Sequence, residues 1–360
     1  MARRRGDTHR LMRWLWTSRR ADAKAVRLAL LPASGLWRAA MASRDEAYRR
    51  GWLHTTRLPV PAIGIGNLTV GGSGRTAVTV WIARHLAGEG VPAGLLLHGS
   101  PAVADALAAA LPRTVVVNGH DVAASAREAM LGGARVLLVD DAFRRPGVAR
   151  DFSLAVVSAE TTRAVPWALP AGPWREGRRQ ALSRADAVVI TRRRATAEAA
   201  ASLATELGGI VRGPVGVAQL GLLQLRGLVS GTLHDVSLLR GKRVVAATGL
   251  ADPDAFVAHV KAAGGAVQVA TWKDQAELRD EDVAWLAHAA RRADHVVITE
   301  RDAVRLRDRW AANVPEPLVA VLELTWEENG AAVIGALDTV ARRTDAFANL
   351  QPDRSGPEIS

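Results

Sequence analysis

Hydrophobic residues along the chain fall in short runs that alternate with amphipathic stretches and with turns rich in glycine and proline. A buried strand is predicted at 59–66, then a glycine-rich turn at 71–74 and a helix from about 76 to 88. Further strands are predicted where apolar runs recur, at 94–97, 114–117, 135–139, 154–157 and 187–190. Strands that alternate with helices predict an α/β fold, in which a mostly parallel sheet carries helices on both faces.

The second half of the chain shows the same alternation after a connector. Residues 210–240 contain short β-like runs and turns, which are typical of a connector such as a β-ribbon. Residues 241–344 again alternate strands and helices, which predicts a smaller C-terminal α/β unit. The polar tail 345–360 contains Pro and Gly and is predicted to be disordered.

Residues 1–50 are basic at first and then helical in pattern. Trp14 and Trp16 lie among several arginines, and an apolar stripe follows over 21–50. Arginine and tryptophan beside such a stripe suit a helix in the plane of a bilayer interface. An ordinary surface helix packed on the core is the alternative, which this segment alone slightly favours. No run reaches the roughly 18 apolar residues of a membrane span, and no signal peptide is expected.

Composition narrows the classes of partner. The chain has 360 residues, 49% of them hydrophobic and 23% charged, which suggests a globular protein of two domains. A net charge of +11 favours anionic partners, namely phosphates, anionic lipids or nucleic acid. No nucleic-acid partner is expected, because aromatic residues make up only 4% and no recognition module is present. No obligate protein partner is indicated, and the absence of cysteine excludes disulfides and thiolate metal sites.

The segment Gly66–Thr76, GNLTVGGSGRT, has the strongest chemical signature. It lies between a predicted strand and a predicted helix, which is the setting of a phosphate-binding loop. Glycines let the backbone wrap around phosphate oxygens, and N–H groups at the helix N-terminus attract the negative charge. Thr76 is placed to ligate Mg²⁺. Against the general pattern, Thr69 replaces a glycine and Arg75 replaces the lysine, so a glycine-rich turn without a ligand is the alternative.

Two acidic residues end the clearest predicted strand. Asp140 and Asp141 follow the apolar run 135–139. Carboxylates at a strand end can hold Mg²⁺ or its water ligands opposite the hydroxyl of a phosphate loop. Acidic residues often end strands, so the pair alone is weak evidence for a metal site. The phosphate-binding loop upstream makes this interpretation stronger.

Several of these segments together resemble the bacterial tetraacyldisaccharide 4'-kinases. Residues 58–76, LPVPAIGIGNLTVGGSGRT, are similar to a family opening that reads roughly PVPVISVGNLTVGGTGKTP, in which threonine also takes the place of the first glycine. The family's DDGFQH-type strand end, its LPAGPLRE signature and its TEKDAVKL segment correspond to residues 140–145, 169–176 and 299–306. The resemblance extends from about residue 26 to 340.

This resemblance implies a P-loop NTPase-like core over 51–209, a smaller C-terminal α/β domain over 241–344 and a cleft between them. It implies ATP and Mg²⁺ as cofactors, and an acylated glucosamine disaccharide 1-phosphate, a lipid A precursor, as the acceptor. The protein would phosphorylate the 4'-hydroxyl as a peripheral protein at the cytoplasmic face of the inner membrane. The positive net charge suits anionic lipids as further partners.

The site residues that follow from the loop and from the resemblance form three groups. ATP is expected to bind at Thr69, Val70, Gly71, Gly72, Ser73, Gly74, Arg75 and Thr76. Mg²⁺ is expected on Thr76 and Asp140. The catalytic groups are expected to be Asp105, Arg75 and Asp141.

The chain also departs from the family pattern. Arg75 stands for the loop lysine, and the chain has only four lysines in all, at 24, 242, 261 and 273. The SRGYG segment is replaced at 98–101, the Asp-Glu pair corresponds at best to Asp105–Ala106, and the Asp-His-His segment is Asp274–Gln275–Ala276. A catalytically impaired relative that binds nucleotide or lipid at the membrane, without phosphate transfer, is therefore the alternative function.

Overall fold

The computed structural model describes residues 11, 12, 14–70, 72–99, 101–160, 165–249, 253–272 and 278–343. Some sequence predictions fall wholly or partly outside these ranges. They concern residues 1–10 and 13 of the basic N-terminal segment, Gly71 of the loop, Ser100 of the altered segment 98–101, the segment 274–276 and the tail from 345.

Twelve strands of the described residues form a single sheet. They are β1 (Ala62–Asn67), β2 (Ala93–Leu97), β3 (Val115–Asn118), β4 (Val136–Asp140), β5 (Phe152–Ser158), β6 (Ala187–Arg192), β7 (Val215–Gly227), β8 (Leu233–Asp235), β9 (Arg243–Thr248), β10 (Ala266–Thr271), β11 (His295–Thr299) and β12 (Leu318–Glu328). The order across the sheet is β10-β9-β11-β12-β7-β6-β5-β1-β4-β2-β3, and β8 pairs with β7.

Ten α-helices connect or flank these strands in the part of the chain that is described. They are α1 (Ala21–Arg49), α2 (Arg75–Gly88), α3 (Pro101–Ala110), α4 (Val122–Leu131), α5 (Arg178–Leu182), α6 (Ala197–Gly208), α7 (Asp254–Ala262), α8 (Asp280–Ala290), α9 (Glu300–Leu306) and α10 (Gly330–Ala341).

The sheet is mostly parallel, which confirms the predicted α/β class. The long strands β7 and β12 form its central antiparallel pair, and β7 is parallel to β6 while β12 is parallel to β11. The elements from β9 onward therefore continue the sheet of the first half. Residues 210–240, which the sequence indicated as a connector, supply β7 and β8 to this sheet. The division into a core over 51–209 and a C-terminal domain over 241–344 stays a prediction.

The central strands are mostly apolar and are buried along almost their whole length, as is typical of a parallel sheet with helices on both faces. All residues of β1 and β5 are buried, as are the first four of β4. One buried cluster joins the inner face of α2 to the sheet through Val78, Ile82 and Leu86. This packing fixes the N-terminal end of α2 relative to the carboxyl ends of β1 and β4.

The long helix α1 docks on the segment 168–175. The Ser34 hydroxyl lies 3.0 Å from both the Ala168 carbonyl oxygen, to which it donates, and the Ala171 amide nitrogen, from which it accepts. The Trp37 indole donates to the Arg175 carbonyl at 2.6 Å. Most of the remaining helix surface is exposed, and no described helix is long and apolar enough to span a membrane.

Candidate active site

The glycine-rich loop lies where the strand order of the sheet reverses. Strand β1 is parallel to β4 on one side and to β5 on the other, and Ile65 is in register with Asp140. In open parallel sheets a crevice forms at this point, outside the carboxyl ends of the strands. The chain leaves β1 at Asn67 and enters α2 at Arg75, so the loop and the N-terminus of α2 border this crevice.

Gly74 makes the turn from the loop into α2. Its φ angle is +76°, in the left-handed region that favours glycine. A Cβ built on Gly74 would lie 2.2 Å from the Leu220 Cδ1 atom. Next to it, the Thr191 hydroxyl donates to the Ser73 carbonyl at 2.7 Å, so strand β6 also holds the turn in place.

Arg75 spans an acidic pair at the bottom of the crevice. Its Nη2 donates to Asp140 Oδ2 at 3.0 Å, and its Nε lies 2.9 Å from Asp140 Oδ1 without the alignment of a hydrogen bond. Its Nη1 donates to Asp141 Oδ1 at 2.6 Å and to Asn67 Oδ1 at 3.3 Å. The planar guanidinium can make these contacts together because its donors form a rigid fork.

The two carboxylates differ in environment. Burial raises the pKa of Asp140 above its ordinary value, while the Arg75 charge opposes this rise. Asp141 has φ of +52°, a left-handed conformation that is uncommon outside glycine and turns its side chain toward Arg75 and Arg144. Arg175 is close enough for its charge to interact with Asp141, and burial lowers the pKa of the Arg175 guanidinium. The acidic pair therefore lies among several cations.

A cleft of about 220 Å³ opens above this cluster. Thr76 and Thr79 line it from α2, one helical turn apart, so both hydroxyls face the same side. The buried hydroxyls of Ser73 and Thr79 have no hydrogen-bond partner among the described residues. Unpaired buried hydroxyls are costly unless a ligand satisfies them. The remaining lining residues include Leu97, His98, Asn118, Asp140 and Arg301.

The segment that resembles the LPAGPLRE signature supports the loop from behind. The Val70 amide donates to the Pro173 carbonyl at 2.8 Å, and the Arg175 amide donates to the Leu68 carbonyl at 3.0 Å. Thr69 is buried, and the Asn67 amide donates to its carbonyl at 2.9 Å. These contacts hold the first half of the loop as a short extended segment. Thr69 thus lies in an extended part of the loop that pairs with Trp174, a conformation that does not require glycine.

The segment that resembles TEKDAVKL positions Arg301 at the cleft. The Asp302 carboxylate is buried and accepts hydrogen bonds from the Thr299 hydroxyl at 2.6 Å and the Thr248 hydroxyl at 3.0 Å. Burial raises the pKa of Asp302, and the two hydroxyls oppose this rise. Asp302 thereby fixes the start of α9, from which the neighbouring Arg301 reaches the cleft.

Glu160 forms a rigid brace next to the loop. Its Oε1 accepts from the backbone amides of Arg193 at 2.8 Å, Arg194 at 2.9 Å and Ala195 at 3.2 Å. The Arg193 side chain in turn donates to the Gly72 carbonyl at 2.7 Å. Burial opposes ionisation of Glu160, but the hydrogen bonds from Ser158 and the three amides outweigh it and lower the pKa of Glu160 to about 2.

Replacement of Glu160 by glutamine is expected to lower the free energy of unfolding by about 2 kcal/mol at neutral pH. Because its pKa is lowered, ionised Glu160 stabilises the folded state fully at a pH above 4.5, the ordinary pKa. This stabilisation is lost as the pH falls toward about 2. Urea unfolding across this range should show that wild type loses stability more steeply than the variant. Glu281→Gln, at an exposed carboxylate, serves as the control. Equal slopes for wild type and Glu160→Gln would contradict this account.

The structure brings together most of the residues predicted for the site. Arg75, Asp140 and Asp141 form one cluster, and Thr76 borders the cleft above it. Asp105 is exposed on α3 and is not among the residues that line the cleft. Among the described residues, sequence reasoning missed five polar or charged ones that line the cleft or contact Arg75. They are Asn67, Thr79, His98, Asn118 and Arg301.

The family model for tetraacyldisaccharide-1-P 4'-kinase matches this chain over residues 26–106 and 105–341. The chain belongs to this family. The two matched stretches meet at residues 105 and 106, so the match does not fix which family position Asp105 occupies. The stretch before residue 26 lies outside the match.

Individual relatives agree with the family model. A tetraacyldisaccharide 4'-kinase of Anaeromyxobacter sp. (strain Fw109-5) is 34% identical over 329 residues, which cover 83% of this chain and 88% of the relative. A tetraacyldisaccharide 4'-kinase of Azorhizobium caulinodans is 31% identical over a stretch that covers 82% of this chain and 88% of the relative. The crystal structure of LpxK from Aquifex aeolicus, solved in complex with ATP, has a TM-score of 0.67 at 20% identity and covers 88% of this chain and 99% of its own. That likeness confirms the P-loop NTPase-like fold.

Proposed function

We propose that this protein transfers the γ-phosphate of ATP to the 4'-hydroxyl of a tetraacyldisaccharide 1-phosphate, which yields lipid IVA. The cluster of Arg75, Asp140 and Asp141 at the N-terminus of α2 carries this proposal, in a chain that belongs to the 4'-kinase family. The direct test is transfer of labelled phosphate from ATP to the purified disaccharide lipid.

The described residues fit the phosphates of ATP. The N-terminus of α2 and the glycine turn present backbone N–H groups to the crevice, and such groups bind phosphate oxygens. The Thr79 hydroxyl has no partner among the described residues, lines the cleft and can donate to these oxygens, and Ser73 in the loop itself carries a second such hydroxyl. Arg75 supplies the positive charge that a lysine supplies in the general phosphate loop.

The described residues also fit Mg²⁺. Asp140 and Thr76 offer a carboxylate and a hydroxyl on the same cleft, and Mg²⁺ prefers oxygen ligands. The described residues hold no cluster of three or more acidic or histidine side chains, so Mg²⁺ would complete its shell with water and phosphate oxygens. When bound, the ion supplies positive charge to the phosphate oxygens during transfer.

The reaction needs residues that stabilise charge and one that accepts a proton. The N-terminus of α2 stabilises the negative charge on the transferring group because it is held in place before the reaction, and Arg75 adds its positive charge. Arg75 must give up part of its contact with the acidic pair to reach the phosphates. Asp141 then has a free carboxylate oxygen near the loop, so we assign to it the proton of the attacking 4'-hydroxyl.

Asp141→Asn is expected to reduce kcat by about a hundredfold or more, the usual contribution of a general base. Asp105→Asn provides the matched comparison, and it should change kcat by less than about threefold because Asp105 is exposed and outside the cleft. Steady-state transfer rates of both variants decide the assignment. A large loss in Asp105→Asn with little change in Asp141→Asn would move the base to Asp105.

We further propose that residues 1–50 hold the protein at the cytoplasmic face of the inner membrane, with anionic lipids as partners. Leu28 is 59% exposed, Leu36 is 75% exposed, and Trp37 is 40% exposed on α1. An exposed apolar helix with adjacent arginines and tryptophans suits the bilayer interface. Salt should weaken the binding because it screens exposed charges.

Leu28→Glu combined with Leu36→Glu is expected to reduce sedimentation with anionic vesicles at least about tenfold, since each change places a charge in the interface. Leu131→Glu is the control, because Leu131 is 91% exposed and lies on α4 rather than on α1. A Leu131→Glu protein that binds as weakly as the double variant would rule out α1 as the contact.

A further inference from the structure

A second cavity lies at the start of α1, away from the glycine-rich loop. Its volume is about 420 Å³, and its walls include Trp16, Arg19, Lys24, Arg27 and Pro166. Trp16 closes one side, because its indole donates to the Pro170 carbonyl at 3.0 Å and its own carbonyl accepts from the Val165 amide at 3.2 Å. The cavity is therefore built by the N-terminal segment and the chain just before the segment that supports the loop.

The charge in this cavity is positive. Arg19, Lys24 and Arg27 line it, and no carboxylate is found among the described residues of its wall. The nearest acidic residue in the sequence is Asp22, which accepts from the Ala23 amide at 2.7 Å and lies 3.3 Å from Arg20. Asp22 thus contacts the Ala23 amide and the Arg20 side chain. Within the described part of the cavity wall, the three cations have no acidic partner.

Arg27 gives the cavity a fixed cation. Its side chain is buried, and Nη1 donates to the carbonyls of Leu15 at 2.5 Å and Ser18 at 2.9 Å. These two bonds orient the guanidinium, and its Nε and Nη2 make no hydrogen bond with the described residues. Arg27 is not among the described residues with a buried, unpaired side-chain nitrogen, so these two nitrogens are open to the cavity, where an anion can accept from them.

The position of the cavity indicates where this anion comes from. Leu28 and Leu31, both exposed, lie within two turns of α1 beyond the cavity. Trp16 and the basic residues are of the kind that locate at the head-group level of a bilayer. The cavity wall from Trp16 to Lys24 precedes the part of the chain that the family model matches, which begins at residue 26.

We propose that this cavity binds the phosphodiester of an anionic membrane-lipid head group. The inference rests on the membrane association proposed above. It assigns the preference for anionic lipid to a built site rather than to the general positive charge of the N-terminal region. Arg27 forms the floor of the site, and Arg19 and Lys24 close over the phosphate from the exposed rim.

The experiment compares Arg19→Gln/Lys24→Gln with Arg49→Gln/Arg50→Gln. Both double variants remove two charges from exposed positions in or directly beside α1, but Arg49 and Arg50 pair with Glu46 at the opposite end of the helix. Full-length proteins are sedimented with phosphatidylcholine vesicles that contain phosphatidylglycerol. Loss of two site cations is expected to weaken binding at least about tenfold, and the control pair less than about threefold. Arg27 is left intact because it holds Leu15 and Ser18.

Equal losses in both double variants, or no loss in either, would overturn the proposal. Melting temperatures with inorganic phosphate test for a soluble ligand instead. A phosphate-induced rise that Arg19→Gln/Lys24→Gln removes, with unchanged vesicle binding, would assign the cavity to a free anion and overturn the lipid assignment. The rise in melting temperature with Mg-ATP is recorded separately. It reports the glycine-rich loop, so a failure of the kinase proposal is distinguishable from a failure of this one.

Discussion

Replacement of Arg75 by alanine is expected to lower phosphate transfer at least about a hundredfold. Arg75 is the cation nearest the N-terminus of α2, and it is held in place by Asn67, Asp140 and Asp141. Removal of a group that stabilises charge on the transferring group typically costs this much in kcat. The variant also leaves two neighbouring carboxylates without their counter-ion, so its folding should be checked by its melting temperature. Transfer within tenfold of wild type would show that Arg75 does not act on the phosphates.

Arg75→Lys is expected to keep transfer within about threefold of wild type. The groups that Arg75 contacts are an asparagine and two aspartates, and the family motifs GNLT and DDGF contain the same residue types although the family loop carries a lysine. The residues around the guanidinium are therefore of the same types as those in the family motifs with a lysine. A loss of tenfold or more would show that the fork geometry itself has become necessary. Rates of wild type, Arg75→Ala and Arg75→Lys under identical conditions separate these outcomes.

Gly74→Ala is expected to abolish most of the thermal stabilisation that Mg-ATP gives to the wild-type protein. The φ angle of +76° costs a residue with a Cβ about 1–2 kcal/mol, and the new Cβ would meet the Leu220 Cδ1 atom at 2.2 Å. Leu220 is buried in the sheet, so the turn must move instead, and the N–H groups at the start of α2 move with it.

Gly72→Ala is the matched control for this prediction. The nearest atom to a Cβ at Gly72 is Arg193 Nη1 at 3.5 Å, an ordinary contact. This variant should keep most of the shift in melting temperature. A Gly74→Ala protein that is folded and stabilised by Mg-ATP as much as Gly72→Ala would contradict the loop geometry described here.

The local parts of the site could be predicted from the sequence. A few consecutive residues determine the strand, the glycine turn and the helix around Gly74, and the same holds for the acidic end of β4. Their meeting follows from a general rule, because neighbouring parallel strands such as β1 and β4 end at the same edge of the sheet. The family resemblance also predicts threonine rather than glycine at position 69, and in the structure Thr69 pairs with Trp174.

The remaining parts depend on distant packing. Arg301 reaches the cleft only because β12 and β7 join the two halves of the chain in one sheet, which no local pattern shows. His98 borders the cleft directly after the end of β2, although no motif in the sequence indicated it as a site residue. Thr79 could have been found from its helical spacing to Thr76, and Asn118 from its position at the end of β3. The exposure of Asp105 depends on the rotation of α3, which a short alanine-rich helix does not specify.

The most direct test of the central claim is phosphate transfer by the wild-type protein. Purified full-length protein is incubated with γ-labelled ATP, Mg²⁺ and tetraacyldisaccharide 1-phosphate, and the lipid product is separated by chromatography. The account predicts label on the lipid as a 4'-phosphate, and Arg75→Ala protein in the same assay should give almost none. Wild-type protein that binds Mg-ATP yet transfers no label to the authentic lipid would contradict the kinase assignment and favour a catalytically impaired relative.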